Sequence, residues 1–407
     1  MALRILALTN LYPTPAQPGR APFNRQLFRA LAESFPLHII APIAWTDELR
    51  RRSRGPAPRR ASQDGITIDY PRYLFPPKVL RDWHGHFLLR SIGATFGRAV
   101  EDFRPNVVFG SWAYPDAWAA IELGHRAGLP VVVKVHGSDI NLLDQYPGRL
   151  RRTQEVMRHA DRIITPSRDL ARRVAELGAD PGRVQVIYNG VDSDLFHPAP
   201  QSEARQRLDL PSGGPILLFV GNLISLKGID CLFEACARLA KGETGLSCHV
   251  VGQGPLLPQF QRQVQNLGLC QHVTFHGPMS HQELPDWYRA ADVFVLPSRS
   301  EGVPNVLLEA MACGTRFVAT DVGGIPETAH MGQGRLVPPD KSDDLAAAIR
   351  EMLAEGRIKG PAPVSIPRSF RETAAEVAGV LESAAGLGAG RDLNCCVHPT
   401  ALGVASK

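Results

Sequence analysis

The sequence predicts an α/β fold of two doubly wound parallel-sheet lobes facing each other across a cleft. Three observations lead there. Short β-branched runs alternate with longer stretches of helical period. Several of the short runs are apolar throughout, as strands covered on both faces are. The pattern then repeats after a Pro-, Gly- and Ser-rich join between Gly190 and Pro215.

In the first half, strands are expected at Arg4–Asn10, Leu37–Pro42, Ile66–Tyr70, Asn106–Gly110, Val131–Val135, Arg162–Thr165 and Val184–Tyr188. Helices are expected at Asn24–Phe35, Asp116–Ala127 and Arg168–Leu177, the last capped by Ser167 and stopped by Gly178. In the second half the strands are Ile216–Val220, Cys248–Val251, Val273–Phe275, Val293–Leu296, Arg316–Thr320 and Arg335–Val337. Its helices are Ile229–Ala240, Pro258–Leu267, Glu283–Ala290, Val306–Ala312 and Leu345–Ala354. The expected domains are residues 1–190 and 191–365, then a helix over 366–387 packing back on the first lobe and a disordered tail over 388–407.

Composition narrows the class. A chain of 407 residues suits two such lobes, and 44% hydrophobic with 21% charged residues excludes a disordered chain. No apolar run approaches the roughly 18 residues that span a bilayer. The start, MALRILALTNLYPTP, reads as a first strand rather than a signal peptide. Seven Cys, an odd number at no metal-ligand spacing, point to reduced thiols in a cytoplasmic protein. Residues 1–190 hold 27 Lys+Arg against 17 Asp+Glu, and residues 191–407 hold 18 against 23. A nucleic-acid binder is not expected to divide its charge so. Two lobes meeting different partners, the first facing something anionic, fit better.

Two segments leave alternatives open. Arg50–Arg60 is a basic, Pro-containing loop, either a solvated connector or an attraction to anionic lipid or polymer. Lys78–Arg90 mixes basic residues with Trp83, Phe87, Leu88 and Leu89, which suits an interfacial helix or a buried helix face equally.

The segment richest in chemistry is Ser300–Gly314, SEGVPNVLLEAMACG. Pro304 and Asn305 sit where a helix starts, and Gly314 stops it. A loop entering a helix N-terminus offers unpaired N–H groups and a positive dipole end, a seat for phosphate. Glu301 stands just before that seat, and Glu309 lies further along, able to accept two bonds from a diol. Alone, two Glu at this spacing read better as ordinary helix carboxylates. The surrounding pattern decides.

Glu301-x7-Glu309, with its flanking residues, resembles family 4 of the retaining glycosyltransferases, two-lobed GT-B enzymes with Rossmann-like lobes that use nucleotide-sugar donors. Phe219–Gly228 (FVGNLISLKG), Val251–Pro255 (VGQGP), Val135–Asp139 (VHGSD), Ile187–Pro198 and Ala290–Ser298 resemble further family motifs in the right order, over roughly residues 1–385. The resemblance implies that Glu309 holds the ribose hydroxyls and Glu301 faces the donor sugar. It implies that Gly302, Val303, Pro304, Asn305 and Val306 line sugar and phosphate. Lys227 would neutralise the diphosphate, beside Gly221 and Asn222, and His136 would touch the sugar from the first lobe. Gly19 would lie near the donor phosphates, and Gly277 and Met279 near the base. The acceptor is expected to attack on the face the leaving group departs from, with retention of configuration, no cofactor and no metal.

Two departures stand out. Asn222 occupies a position where many members carry Arg, so leaving-group stabilisation leans on Lys227. The first-lobe loop has Gly19 alone where paired glycines are usual, with Arg20 either adding charge or facing solvent. Other motifs are weaker. Asp192-Ser193-Asp194 matches a D-x-D metal motif but lies in the interdomain segment. Gly252-Gln253-Gly254 begins a dinucleotide fingerprint that Leu257 breaks. His84 and His86 have no partner ligands. For His136 a satisfied core histidine is the plainer alternative, and Gly137 beside it favours close backbone approach to a ligand.

The expectation is therefore a retaining, metal-independent glycosyltransferase. Its N-terminal stretch resembles members that build bacterial surface polysaccharides, which implies a glycan or lipid-linked acceptor, with peripheral contact to an anionic membrane from the basic half. The rivals are a sugar-nucleotide epimerase of the same two-lobed fold and a non-catalytic glycan-assembly subunit.

Overall fold

The computed structural model describes residues 2–15, 17–50, 58–77, 79–143, 147–242, 244–330, 333–359 and 367–387. The first lobe runs β1 (Ile5–Leu8), α1 (Pro22–Ala32), β2 (Leu37–Ile40), β3 (Ile43–Ala44), α2 (Trp45–Arg50), β4 (Arg60–Gln63), β5 (Ile66–Asp69), β6 (Arg72–Tyr73) and α3 (His84–Phe103). It continues through β7 (Val107–Ser111), α4 (Trp118–Arg126), β8 (Val131–Lys134), α5 (Ser138–Asn141), α6 (Pro147–His159), β9 (Arg162–Thr165), α7 (Arg168–Glu176) and β10 (Val184–Val186). Eight strands make one sheet in the order β10-β9-β8-β7-β1-β2-β5-β4, antiparallel only at β4–β5. The central strands are buried along their whole length, as largely apolar runs covered on both faces are, with His38, Ser111 and Lys134 as the polar exceptions. Helix α1 covers one face with Asn24, Leu27, Phe28 and Leu31, the i, i+3, i+4, i+7 stripe of an amphipathic helix.

The second lobe runs α8 (Gln201–Arg207), β11 (Ile216–Val220), α9 (Ile229–Leu239), β12 (Ser247–Val251), α10 (Leu257–Asn266), β13 (Val273–Gly277), α11 (Leu284–Ala290), β14 (Val293–Leu296), α12 (Asn305–Ala312), β15 (Arg316–Thr320), α13 (Ile325–Ala329), β16 (Gly334–Val337) and α14 (Ser342–Lys359). Its six parallel strands are ordered β13-β12-β11-β14-β15-β16. The chain then returns. Val191 N–H donates to Arg368 O where it leaves the first lobe, and α15 (Phe370–Ala384) packs Val377 and Leu381 into the apolar layer beneath α1. A capping box between Ser369 and Glu372 starts that helix.

Both sheets place their first strand in the middle, with β2 and β7 flanking β1, and β12 and β14 flanking β11. The winding direction reverses beside those strands. Loops leaving β1, β7, β11 and β14 therefore splay apart and open a crevice in each lobe.

The structure describes part of each open segment and adds elements. Lys78 lies outside the described residues; the rest of Lys78–Arg90 divides, with Trp83 more than half exposed and Leu88 buried in α3, which runs on to Phe103. Gly85 is needed there, since a Cβ would come 2.7 Å from the Trp118 ring. Of Arg50–Arg60, residues 51–57 lie outside the described residues. Arg60 itself opens the antiparallel edge strand, where its guanidinium binds the Asp69 carboxylate at 2.6 Å. Helix α6 was not expected, because it buries only Thr153, Val156 and Met157. The tail over 388–407, with Cys395 and Cys396, is outside the described residues.

Candidate active site

The second-lobe half of the site is assembled from three strand ends. Gly221 N–H donates to Val251 O, and Gly252 N–H donates to Gly277 O, which ties the loops after β11, β12 and β13 together. A Cβ on Gly252 would lie 1.9 Å from Gly221 O, so this turn admits only glycine. The chain then makes a 3-10 turn over Ser225–Lys227 and presents the lysine ammonium, while Asn222 is exposed. Lys227 Nζ donates to Glu301 Oε1 at 2.5 Å, and Ser298 Oγ donates to the same oxygen at 2.7 Å. Glu301 comes from the loop after β14, so the pair bridges the two strands beside the crevice.

Helix α12 begins at Asn305 with Pro304 as its N-cap residue, no side-chain cap and no acidic residue in its first turn. Leu307 N–H already donates to Pro304 O, which leaves the Asn305 and Val306 N–H groups for an anion. One turn in, Glu309 is buried rather than exposed. Tyr288 OH donates to its Oε2 at 2.8 Å, and His281 Nε2 meets Oε1 at 3.1 Å. Burial and the adjacent carboxylate push the Tyr288 phenol well above its ordinary value, so it stays a donor. Each carboxylate oxygen keeps a further lone pair. Glu309, Asn305 and His281 line a cavity with about 280 Å³ of empty space, open to solvent, together with Phe23, Asp192 and Phe196.

The first lobe meets this surface most closely at a pair of glycines. Gly137, at φ +117°, and Gly302 touch backbone to backbone: a Cβ on Gly302 would lie 2.5 Å from His136 O, and one on Gly137 would lie 2.6 Å from Gly302 Cα. Asn141 Nδ2 donates to Glu301 O at 3.1 Å across the same gap. A second bridge lies alongside, where Glu327 of α13 accepts the Arg168 and Asp169 N–H groups at the start of α7, both at 2.8 Å, and the Tyr188 hydroxyl. A carboxylate at a helix N-terminus is favourably placed.

His136 follows β8 and is half-buried. Its Nε2 lies 2.7 Å from Ser111 Oγ, and Asn24 Nδ2 donates to that hydroxyl at 3.1 Å. Its ring stands 5.2 Å from Phe23 and is stacked on Trp112 at 6.3 Å. Trp112 has φ +96°, a strained conformation for a non-glycine residue. Burial, with the nearby Lys134 ammonium, holds His136 well below its ordinary value, so the ring is neutral at pH 7. Asp139 pins the turn by accepting the N–H groups of His136, Gly137 and Ala113. Beside it, Asn10 donates from its backbone and side chain to the buried Asp116, and Arg20 donates to Asn10 Oδ1 at 3.1 Å and to Gln17. Burial raises Asp116 to about 7 against the Asn10 bonds that lower it.

His136, Lys227, Glu301, Gly302, Asn305 and Glu309 thus converge on the crevice. Gly19 sits on an exposed turn ahead of α1, and Met279 packs partly buried against the apolar layer over the second sheet. Asp192 is engaged by Gln26 Nε2 at 2.7 Å and Leu195 N–H. Among the described residues, no group of three or more His, Cys, Asp or Glu is placed to hold a metal. Sequence reasoning missed His281, Tyr288, Lys134, Ser111 and Glu327. The first two carry no local signal, and the others become polar partners only through contacts with distant segments.

Comparison with known proteins accords with this geometry. Residues 200–374 match the family described as Glycosyl transferases group 1, and residues 17–195 match Glycosyltransferase Family 4. The chain is 37% identical over 254 residues to a D-inositol 3-phosphate glycosyltransferase of Geodermatophilus obscurus, covering 60% of this chain and 56% of that one. The protein of the same name from Mycobacterium tuberculosis is 37% identical over 245 residues, 60% of this chain and 51% of its own. The chain spans about half the length of the curated relatives it matches. Among solved structures, sucrose-phosphate synthase from Thermosynechococcus elongatus superposes with a TM-score of 0.72 at 22% identity, covering 95% and 96% of the two chains. Anabaena HepE in complex with UDP-glucose gives 0.70 at 19%, covering 95% and 99%. These two likenesses show the fold, which is GT-B.

Proposed function

The chain belongs to the group 1 glycosyl transferases, its first lobe of the Family 4 type, and from that premise we propose that it moves a sugar from a nucleotide-sugar to a glycan or lipid-linked acceptor with retention of configuration. The observation that carries the reading is the Lys227–Glu301 pair, set between the uncapped start of α12 and His136 of the opposite lobe. The diphosphate sits on the first N–H groups of α12 and draws the Lys227 ammonium off Glu301. The released carboxylate then accepts sugar hydroxyls, and the buried Glu309 accepts the ribose diol. As the bond to the anomeric carbon breaks, charge gathers on the departing phosphate oxygen, where Lys227 and the helix end stabilise it. Neutral His136 faces the sugar as a hydrogen-bonding group. The acceptor's attack on the same face lets the leaving phosphate take its proton, with no metal required. The building of surface polysaccharide, at the cytoplasmic face of an anionic membrane, is the setting proposed.

The test is a panel of nucleotide-sugars given to the purified chain with and without a chelator. Nucleoside diphosphate should be released from one donor, equally with chelator present, and the product's anomeric configuration by NMR should match the donor's. Inverted product would overturn retention. An altered sugar still joined to its nucleotide would mean an epimerase, and no turnover of any donor with any glycan extract would favour a non-catalytic subunit.

A further inference from the structure

Lys134, the last residue of β8, is 2% exposed, and its ammonium donates to Asn189 Oδ1 at 3.0 Å. Asn189 Nδ2 in turn donates to Asn305 Oδ1 at 3.2 Å. The three residues come from the core of the first lobe, the crossing between lobes and the first residue of α12. A lysine ammonium can only donate, so the carbonyl of Asn189 must face it. The Asn189 NH2 is then turned toward Asn305, whose own carbonyl must accept. The polarity of both side-chain amides follows from the lysine at the end of the line. Among the described residues the Asn305 NH2 has no partner, and Asn305 lines the cavity at the helix start.

We propose that Lys134 and Asn189 are positioning residues that hold the Asn305 amide with its NH2 toward the diphosphate of a bound nucleotide. The inference rests on the nucleotide-sugar reading and assigns the anion contact its polarity. It also bears on the missing cation at Asn222, because it turns a second donor of the same lobe toward that anion and fixes it from Lys134 of the opposite lobe. Burial draws Lys134 down to about 8, with Asp139 opposing, so at pH 7 the group still carries the proton that makes it a pure donor. The line crosses from one lobe to the other, so it is complete only with the lobes in this arrangement.

The test is binding at pH 7 of UDP, GDP and ADP and of the matching nucleosides, by calorimetry, to the unaltered chain and to three variants. In Lys134→Met the best diphosphate should weaken about ten- to thirtyfold, the scale of one charge-linked hydrogen bond, while its nucleoside changes less than about twofold. Lys134→Gln, whose amide can still donate to Asn189, should stay within about threefold. Asn189→Ala breaks the line at a partly exposed position, and should reproduce the Lys134→Met pattern even if removing the buried ammonium prevents folding. Diphosphate affinity unchanged in Asn189→Ala, or lost in equal measure with nucleoside affinity, would overturn the proposal alone. If no diphosphate binds the unaltered chain, the nucleotide-sugar reading falls, and the proposal with it.

Discussion

The two lobes use polar residues in opposite ways. In the second lobe the charged groups of the site are few, come from short contiguous segments and neutralise one another: Lys227 pairs with Glu301, at 20% and 10% side-chain exposure. In the first lobe they end or follow β7 and β8 and are buried or half-buried, and their protonation is shifted, as in Asp116, Lys134 and His136. A pair near the surface can part and re-pair when an anion arrives. A buried, fully bonded group cannot move, and serves to hold a neighbour in place. On the proposed function this difference would divide the work: the second lobe would grip, and the first would fix the geometry against which the grip closes.

The largest effect should come from the gripping side. Lys227→Met removes the second-lobe cation set against Glu301 among the described residues and should lower kcat for donor turnover about 10²- to 10³-fold, as loss of a transition-state donor does. Folding should be kept, since the lysine sits at a solvent-reached turn. Initial rates at saturating donor, with thermal unfolding as the control, measure this. A loss below tenfold in a folded variant would break the division, because another group would then be carrying the leaving-group charge.

That division also explains what could be read in the sequence. Ser300–Gly314 was legible because loop, helix start and both carboxylates are local in sequence, and the alternating apolar runs revealed both sheets for the same reason. Lys134 was not. At the end of VVVK it reads as a strand residue reaching water, and only Asn189, 55 positions later, shows that it is buried and bonded. Glu309 was legible as a carboxylate on a helix, but its holders His281 and Tyr288 lie in the preceding loop and in α11. Edge strand β4 escaped because RASQ has no β-branched residue; pairing to β5 and the Arg60–Asp69 contact make it a strand. Helix α6 escaped because one narrow stripe suffices where a helix is mostly exposed.

The fixing side should reveal itself through pH. Burial raises the Asp116 carboxyl from 3.8 to about 7, so the folded chain keeps a proton that the unfolded chain sheds near pH 4. Between those values the folded state binds more protons, and stability falls as pH rises. Across pH 5 to 8 the fall from this group is about 2–3 kcal/mol. Asp116→Asn removes the titration while keeping an oxygen to accept from Asn10. In urea unfolding at pH 5 and pH 8, the unaltered chain should lose about 2–3 kcal/mol more than the variant. Equal losses would mean that the two Asn10 bonds and Arg20 outweigh burial, and that the first lobe carries an ordinary ionised carboxylate after all.

The smallest effect concerns the outer surface, where the lobes differ again. Leu74, Val79, Leu80 and Trp83, each 54–57% exposed, fall within ten residues of the first lobe, whereas the second lobe exposes Leu267 and Leu336 singly. No helix among the described residues is long and apolar enough to cross a membrane. An apolar cluster on the basic lobe joins the two terms that hold a protein at an anionic bilayer, burial of side chains in the headgroup layer and attraction to the lipid charge. Inserting an indole is worth about 1.5–3 kcal/mol at most, so Trp83→Ser should weaken flotation with phosphatidylglycerol vesicles about tenfold at low salt. Raised salt should weaken the unaltered chain and the variant in parallel, because the charge term is common to both. A chain that ignores such vesicles at low salt would leave its basic half to the acceptor alone, and the apolar cluster would then need a protein partner.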